Sequence, residues 1–221
     1  MWLNQSLLKW ISSFLSDRFC QTRIGNCLSS LLPILSGVVQ GSCLGPVLFI
    51  VFINDITDLF SGGTCVKLFA DDVKLYSKVY TNPHSLQEGL NRIVEWSRTW
   101  QLPISDSKCC TFDLNQSPEA VYSIGNCVLP VVQEVVDLGV TMDNGLKFSK
   151  HIAKLTVKGH RVTNLILKCF LSRDVNSLVR AFTTYVRPRL EYCSVAWNPA
   201  LKKDIESLEK VQRRFTKCLP G

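Results

Sequence analysis

Two adjacent carboxylates, Asp71 and Asp72, are the residues of this chain best suited to chemistry. They stand where two apolar-rich runs meet in residues 66–76 (VKLFADDVKLY), and the Val and Leu residues of these runs predict a β-hairpin with the pair at or beside its tip. Carboxylate oxygens are the ligands that a hard divalent cation such as Mg²⁺ takes. Adjacent Asp residues are equally typical of a tight turn, because Asp tolerates turn geometry and bonds its own backbone. These residues alone leave both the metal site and the plain turn open.

A glycine-rich segment precedes the two carboxylates. Residues 37–46 (GVVQGSCLGP) include glycines that let backbone approach a ligand or another chain segment closely, although such a segment alone is also typical of a plain loop. Pro46 suits the first position of a helix, and residues 47–53 (VLFIVFI) make that helix apolar on nearly every side. We therefore predict a helix buried under a sheet, with the glycine loop and the hairpin tip at one edge of that sheet.

The remaining elements follow from the spacing of apolar residues. An amphipathic helix that covers the sheet is predicted over residues 84–100. Strands are predicted over residues 102–114, with Lys108 at the head of the strand, and over residues 121–128 and 134–140. The final third of the chain has apolar stripes at helical spacing and predicts a small helical bundle, with Asp174 as the N-cap of one helix.

The charge of the chain is divided unevenly along its length. The total formal charge is +7, but residues 1–146 hold 9 Lys and Arg against 13 Asp and Glu, whereas residues 147–221 hold 16 against 5. The second part is therefore net +11 and the first net −4. A separately basic region predicts a polyanion partner, most simply nucleic acid, since each neutralised phosphate releases counterions. A solvated face of ordinary helices is the alternative.

Cysteine usage and hydropathy limit the class of protein. Ten cysteines are scattered without a CxxC pair and accompany only three histidines, a pattern unlike that of a disulfide scaffold or a zinc site. We expect most of the thiols to be small buried hydrophobic groups in a reducing compartment. The longest apolar run, residues 43–53, is too short to span a bilayer, and the first residues do not resemble a signal peptide. We predict an intracellular protein, cytoplasmic or nuclear, with no membrane partner.

Taken together and in order, these motifs resemble the reverse transcriptase of non-LTR retrotransposons of the LINE-like, jockey or CR1 type. Each motif is weak alone, and their order and spacing make the resemblance specific. The shared segments are residues 14–18 (FLSDR), 37–46 (GVVQGSCLGP), 53–55 (IND), 69–72 (FADD), 96–97 (WS), 137–140 (DLGV), 186–192 (VRPRLEY) and 211–217 (VQRRFTK), together with Trp100 and Lys108.

The resemblance implies an α+β chain in which residues 1–146 form part of a polymerase palm, an antiparallel sheet with covering helices, and residues 147–221 form a small, basic helical thumb. It implies roles for ten side chains or backbone positions. Asp71 and Asp72 would be catalytic metal ligands, and Lys108 would be a catalytic residue near the departing pyrophosphate. Leu138 and Gly139 would form the primer grip. The residues that would contact template or nucleotide are Gln40, Gly41, Ser42, Phe69 and Ala70.

The implied cofactor is Mg²⁺, and the implied partners of the intact parent protein are an RNA template, a DNA primer and dNTPs. Two-metal nucleotidyl transfer copies RNA into DNA and needs carboxylates beyond one adjacent pair. The family supplies another Asp from a motif upstream of the glycine loop, but the only acidic residue before Gly37 is Asp17, which matches a different family segment. We therefore expect a fragment, inactive by itself, whose Mg²⁺ site is incomplete.

Two alternatives to a polymerase fragment remain. One is a non-catalytic remnant that binds nucleic acid through the basic thumb. The other is a product without a selected role, whose incomplete sheet exposes apolar strand edges and helix surface.

Overall fold

The computed structural model describes residues 4–60, 63–77, 83–114, 120–171 and 174–220. They form two compact units, Met1–Ile104 and Ser105–Gly221. Both units contain helices and short strands, which confirms the α+β class. The division between residues 146 and 147 was predicted from the charge distribution and the family resemblance, and it stays a prediction. The compact units divide at a different point, after Ile104.

The first unit begins with a helix and ends with a longer one. Its elements are α1 (Gln5–Leu15), β1 (Arg18–Cys20), β2 (Arg23–Ile24), β3 (Cys27–Leu28), β4 (Leu32–Ile34), α2 (Gly45–Ile53), a 3₁₀ helix (Asn54–Leu59), β5 (Cys65–Phe69), β6 (Asp72–Tyr76) and α3 (Pro83–Thr99). The strands pair antiparallel as β1 with β4, β2 with β3 and β5 with β6. The antiparallel character predicted for the palm is thus present as separate two-stranded ladders.

One small hydrophobic core holds the first unit together. Ile53, Ile56 and Trp96 are buried at its centre. The inward residues of the β5–β6 hairpin pack against them, because side chains alternate between the two faces of a strand. Helix α3 is joined to this core, and the helix predicted over residues 84–100 is confirmed.

The prediction that helix α2 is buried under a sheet is wrong. Val47, Ile50 and Val51 are 55%, 54% and 70% exposed. The helix itself is present and begins with Pro46 near its N-terminus, as predicted. Its outer face lacks a covering layer because each sheet in the described part of the first unit is only two strands wide. Exposed apolar helix surface is what the incomplete-sheet alternative predicts.

The second unit places short strands before a helical region. Its elements are a 3₁₀ helix (Asp106–Lys108), β7 (Thr111–Phe112), β8 (Ser123–Ile124), β9 (Cys127–Val128), β10 (Val131–Val132), β11 (Glu134–Asp137), β12 (Val140–Asp143), α4 (Ser149–Cys169), α5 (Val175–Tyr185), α6 (Arg187–Glu191), α7 (Ser194–Trp197) and α8 (Lys202–Thr216). Strands β8 and β9, and β11 and β12, pair as antiparallel hairpins, whereas β10 and β7 pair parallel.

The helical region predicted for the final third is confirmed, and it shares its core with the last hairpin. One buried cluster joins Val140 of β12 to Ile152 and Leu155 of α4 and to Trp197. A second cluster joins α4, α5 and α8 around Leu178, Phe182, Val211 and Phe215. The Asp174 carboxylate caps α5 by accepting from the Ser177 N–H over 2.8 Å, as predicted.

The prediction that most cysteines are buried is wrong. Nine of the ten thiols are exposed, and the remaining one, Cys109, is half-buried. Four of them, Cys20, Cys27, Cys65 and Cys127, lie on short two-stranded ladders.

Within the described residues, no helix combines the length and the apolar character that crossing a membrane requires.

Candidate functional site

The hairpin predicted around Asp71 and Asp72 is present as strands β5 and β6. Five residue pairs join the strands, from Cys65 with Tyr76 to Phe69 with Asp72. The two residues between the last pair, Ala70 and Asp71, form the turn, so Asp72 is the first residue of β6. Asp71 therefore lies at the tip and Asp72 beside it.

The turn holds strained backbone. Ala70 has a φ of 50°, in the left-handed region, which costs an L-residue other than glycine about 1 kcal/mol. The ladder of five pairs and the packing of Val66, Leu68 and Val73 against the first unit's core keep the turn in this conformation. Primed two-residue hairpin turns have a positive φ at their first residue, so the tight connection itself requires this conformation of Ala70.

Both carboxylates are free to take a ligand. Asp71 and Asp72 are exposed, and neither side chain has a hydrogen bond or ion pair with any described residue. Unpaired carboxylate oxygens are chemically suited to a hard cation such as Mg²⁺. No third His, Cys, Asp or Glu completes a metal-binding group anywhere in the described ranges. The donor set fits part of a Mg²⁺ site.

The glycine-rich segment forms a cleft of about 350 Å³ in the first unit. The cleft is lined by Val38, Val39, Gln40, Gly41, Ser42, Gly45, Pro46 and Phe49. Three of the five predicted template or nucleotide contacts, Gln40, Gly41 and Ser42, thus line this cleft, whereas Phe69 and Ala70 are not among its lining residues. Gly41 has a φ of 82°, a conformation that glycine adopts without strain.

Ser42 stabilises the loop from within. Its hydroxyl donates to the Val39 carbonyl over 2.7 Å and accepts from the Gly45 N–H over 3.0 Å. A Cβ at Gly45 would lie 3.0 Å from the Val39 oxygen and 3.1 Å from the Ser42 Oγ. Gly45 is therefore required for the close approach of the loop to the start of α2.

Arg18 holds the other end of this loop, a role that its sequence context does not indicate. Its guanidinium donates to the Leu15 carbonyl over 2.7 Å, to the Gly37 carbonyl over 2.7 Å and to the Ser36 carbonyl over 3.3 Å. The side chain thereby joins the end of α1 to the first glycine of the loop. The one indication in the sequence was that Arg18 lies in a segment shared with the family, residues 14–18. That likeness predicted no contact for its side chain.

The Trp96 indole N–H donates to the Asp55 Oδ1 over 2.9 Å and joins α3 to the 3₁₀ helix that follows α2. Both residues lie in motifs on which the resemblance depends. Their contact gives these motifs a structural reason: the bonded pair supports the core on which the carboxylate hairpin packs.

Lys108 belongs to the second unit. A strand was predicted over residues 102–114 with Lys108 at its head, but Lys108 instead ends a single 3₁₀ turn, and the strand in this range is only Thr111–Phe112. The Lys108 N–H donates to the Ser105 carbonyl, and its side chain is exposed. The Asp106–Lys108 turn interrupts the extended backbone that the apolar pattern predicts.

The predicted primer-grip residues, Leu138 and Gly139, form the two-residue turn between β11 and β12. Their φ values are 45° and 83°, the pattern of a type I′ hairpin turn. The Tyr192 hydroxyl donates to the Leu138 carbonyl over 3.0 Å. Tyr192 was part of a family-like segment but was given no role by the sequence.

Helix α4 binds the same hairpin through polar contacts. Lys150 and Lys154 donate to the two oxygens of Glu134 over 2.8 and 2.7 Å, and these bonds lower the pKa of Glu134 to about 2. The Thr141 N–H donates to Nδ1 of His151, a buried imidazole that stacks edge-on against Trp197. Burial, with the nearby Lys154 and Lys158, lowers the pKa of His151.

The end of the chain carries an exposed set of cations, here called the α8 basic surface. None of its members forms an ion pair with a described residue. The surface consists of Lys202, Lys203, Lys210, Arg213, Arg214 and Lys217. Unpaired cations on a helix are suited to phosphate contacts, although Glu206 and Glu209 are exposed on the same helix.

Comparison with known proteins agrees with the resemblance. Residues 2–142 match the family described as reverse transcriptase (RNA-dependent DNA polymerase). The chain is 27% identical to the RNA-directed DNA polymerase from mobile element jockey of Drosophila funebris, over 99% of this chain and 25% of that protein. It is 27% identical to a probable RNA-directed DNA polymerase from transposon X-element of Drosophila melanogaster, over 96% of this chain and 24% of the relative.

A third relative, a probable RNA-directed DNA polymerase from transposon BS of Drosophila melanogaster, is 26% identical over 95% of this chain and 25% of its own length. The chain thus spans about a quarter of the length of these curated relatives. No solved structure matches it.

Proposed function

Because the chain belongs to the reverse transcriptase (RNA-dependent DNA polymerase) family, we propose that it supplies palm and thumb parts of a polymerase that copies RNA into DNA. The observation that carries this proposal is the strained β5–β6 turn with two unpaired carboxylates, Asp71 and Asp72, at its tip. The roles of the other site residues, with 1–146 as palm and 147–221 as thumb, are part of the same proposal.

The proposed ligands follow from the chemistry of each position. Asp71 and Asp72 would hold Mg²⁺, which when bound activates a primer hydroxyl and stabilises charge on the departing phosphates. The cleft wall at Gln40, Gly41 and Ser42, with Phe69 and Ala70, would contact template and incoming dNTP. Lys108 would lie near the pyrophosphate in the assembled polymerase. The DNA primer would meet the turn at Leu138 and Gly139.

Primer extension tests the role of Asp71. The chain alone should give no Mg²⁺-dependent extension above an Asp71→Ala variant, because its described residues hold no third acidic ligand. Extension above that control would contradict the proposal that the site is incomplete.

A chimera tests the same residue within a longer protein. This chain replaces the matching quarter of the Drosophila funebris jockey polymerase, and extension is measured with Asp71 intact and as Asn. We expect Asp71→Asn to lower extension about a thousandfold, the equivalent of about 4 kcal/mol of lost charge stabilisation. Asp58→Asn, a change at an exposed acid that has no partner among the described residues, should leave extension unchanged. Equal effects of the two variants would contradict the proposed role.

A second candidate function is nucleic-acid binding without catalysis, favoured by the unpaired cations of the α8 basic surface. Affinity for an RNA–DNA hybrid should fall with salt, with a log–log slope of about −3 to −6 if most of these cations contact phosphate. It should survive loss of Asp71 and Asp72. The double variant Lys210→Glu with Arg214→Glu should weaken binding, whereas the matched charge change Lys9→Glu with Arg98→Glu should not. Binding that is insensitive to salt would exclude this function.

Both functions place the chain inside the cell, in the cytoplasm or nucleus, where its nucleic-acid partners occur. Imaging of a tagged chain tests this location, and a secreted product would contradict it.

A further inference from the structure

Tyr192 connects the helical region to the turn between β11 and β12. Its hydroxyl donates to the Leu138 carbonyl over 3.0 Å, across 54 positions of sequence. Its ring lies against the next residue as well, since a Cβ at Gly139 would be 3.6 Å from the Tyr192 Cε1. One side chain therefore contacts both residues of the turn.

The turn needs such a contact because of Leu138. A type I′ turn favours Asn, Asp or Gly at its first central position, where φ is positive. Leu138 has a φ of 45° and no side-chain oxygen with which to stabilise that conformation locally. A hydrogen bond to its carbonyl from outside the hairpin opposes relaxation of the turn.

Tyr192 is itself held in place. The indole N–H of Trp197 donates to the Tyr192 carbonyl over 2.7 Å, and Trp197 is only 2% exposed in the core that joins β12 to α4. The next residue, Cys193, has a φ of 56° and starts the short helix that carries Trp197. The backbone of Tyr192 is thus fixed to the same core that carries the hairpin.

We propose that Tyr192 is a positioning residue that sets the conformation of the Leu138–Gly139 turn for contact with the 3′ end of a primer. This inference rests on the proposed function, in which that turn meets the primer. Tyr192 acts through the turn, whose two residues, Leu138 and Gly139, are exposed.

The test compares two nucleic acids on the full chain by fluorescence anisotropy: an RNA–DNA hybrid with a recessed DNA 3′ end, and a blunt hybrid of the same sequence. Tyr192→Phe removes only the hydroxyl. It should lower affinity for the recessed end about fivefold, the equivalent of about 1 kcal/mol for one hydrogen bond, and leave affinity for the blunt hybrid unchanged. A merely structural role would lower both affinities together.

Tyr185→Phe is the matched control. Tyr185 is 57% exposed against 55% for Tyr192, and its hydroxyl has no hydrogen-bond partner among the described residues. Gly139→Ala strains the turn directly and should lose the same end preference.

The possible results distinguish the positioning role of Tyr192 from the proposed contact between the turn and the primer. If Gly139→Ala loses the end preference and Tyr192→Phe behaves like Tyr185→Phe, the turn meets the primer but Tyr192 does not position it. If the unaltered chain prefers neither hybrid, or binds neither, both the role of the turn and that of Tyr192 are overturned. A selective loss in Tyr192→Phe and Gly139→Ala supports both.

Discussion

Among the described residues, the unit that ends at Ile104 buries four apolar side chains, whereas the unit that begins at Ser105 buries twelve. The first unit carries the unpaired carboxylates and the glycine-lined cleft on narrow two-stranded ladders. The second carries its candidate turn on a hairpin that packs into a helical core. The carboxylates suited to metal binding therefore lie in the unit with the smaller hydrophobic core, which is the unit with less packing to stabilise it.

The two units also differ in how much apolar helix surface they expose. Helix α2 of the first unit is apolar on nearly every side and largely uncovered, whereas α4 and α8 of the second unit turn apolar stripes inward and cations outward. Monomeric proteins rarely leave contiguous apolar surface uncovered. The first unit is therefore the part of this chain that needs another layer of protein.

Truncating one phenylalanine in each unit, a buried one in the second and an exposed one in the first, should give the largest difference in stability. Phe215 is 2% exposed and stacks on Phe182, whereas Phe19 is 57% exposed. Phe215→Ala should cost the second unit about 3–5 kcal/mol, and Phe19→Ala should cost the first unit less than about 1 kcal/mol. Urea unfolding measures both. Similar costs would contradict the exposed position of Phe19 or the buried position of Phe215.

Mild acid should destabilise the second unit through His151. This imidazole is 2% exposed, accepts from the Thr141 N–H, and has a pKa below its usual range because of burial and of Lys154 and Lys158. Since the unfolded chain binds the proton more readily, the stabilisation is complete above the ordinary pKa of 6.5 and is lost as the pH falls.

The measurement is the urea midpoint at about pH 7.5 and about pH 5.5, a range in which carboxylates stay ionised. The midpoint of the unaltered chain should fall at the lower pH. His151→Gln should be less stable at the higher pH and less dependent on pH. An equal pH dependence in the variant would assign the effect to another group.

Removing a helix cap should lower global stability in the second unit but not in the first. Asp174 caps α5, which buries three residues, whereas the Asn4 side chain caps α1, which buries none. Asp174→Ala should cost about 1 kcal/mol of global stability, and Asn4→Ala should cause only local fraying. Urea unfolding reports the first effect, and amide hydrogen exchange in α1 reports the second. A global loss in Asn4→Ala would show that α1 is part of a cooperative core.

The smallest change in stability is expected at the outer face of α2. Val51→Lys replaces a side chain that is 70% exposed, so the free energy of unfolding should change by less than about 0.5 kcal/mol. Aggregation should decrease, because a charge interrupts the exposed apolar surface. Light scattering measures the aggregation. Strong destabilisation would instead mean that Val51 is covered in solution.

Local sequence patterns predicted several of the structural elements of this protein. The carboxylate hairpin, the helix with Pro46 in its first turn and the Asp174 cap all follow from strand-forming residues and capping chemistry within a few positions of each other. The strand predicted over residues 134–140 is wrong in its extent, because the Leu138–Gly139 turn divides it into β11 and β12. The order of the motifs was sufficient to predict the reverse transcriptase family, which the match over residues 2–142 confirms. Charge counts alone located the basic region.

Only the tertiary structure decided what covers each element. The apolar character of α2 predicted burial and the cysteines were expected inside, yet both are exposed, because burial depends on whether other layers of the fold are present. The contacts of Arg18 with Gly37 and of Tyr192 with Leu138 join residues 19 and 54 positions apart. Periodicity and propensity describe neighbours along the chain, whereas these contacts depend on how distant segments pack.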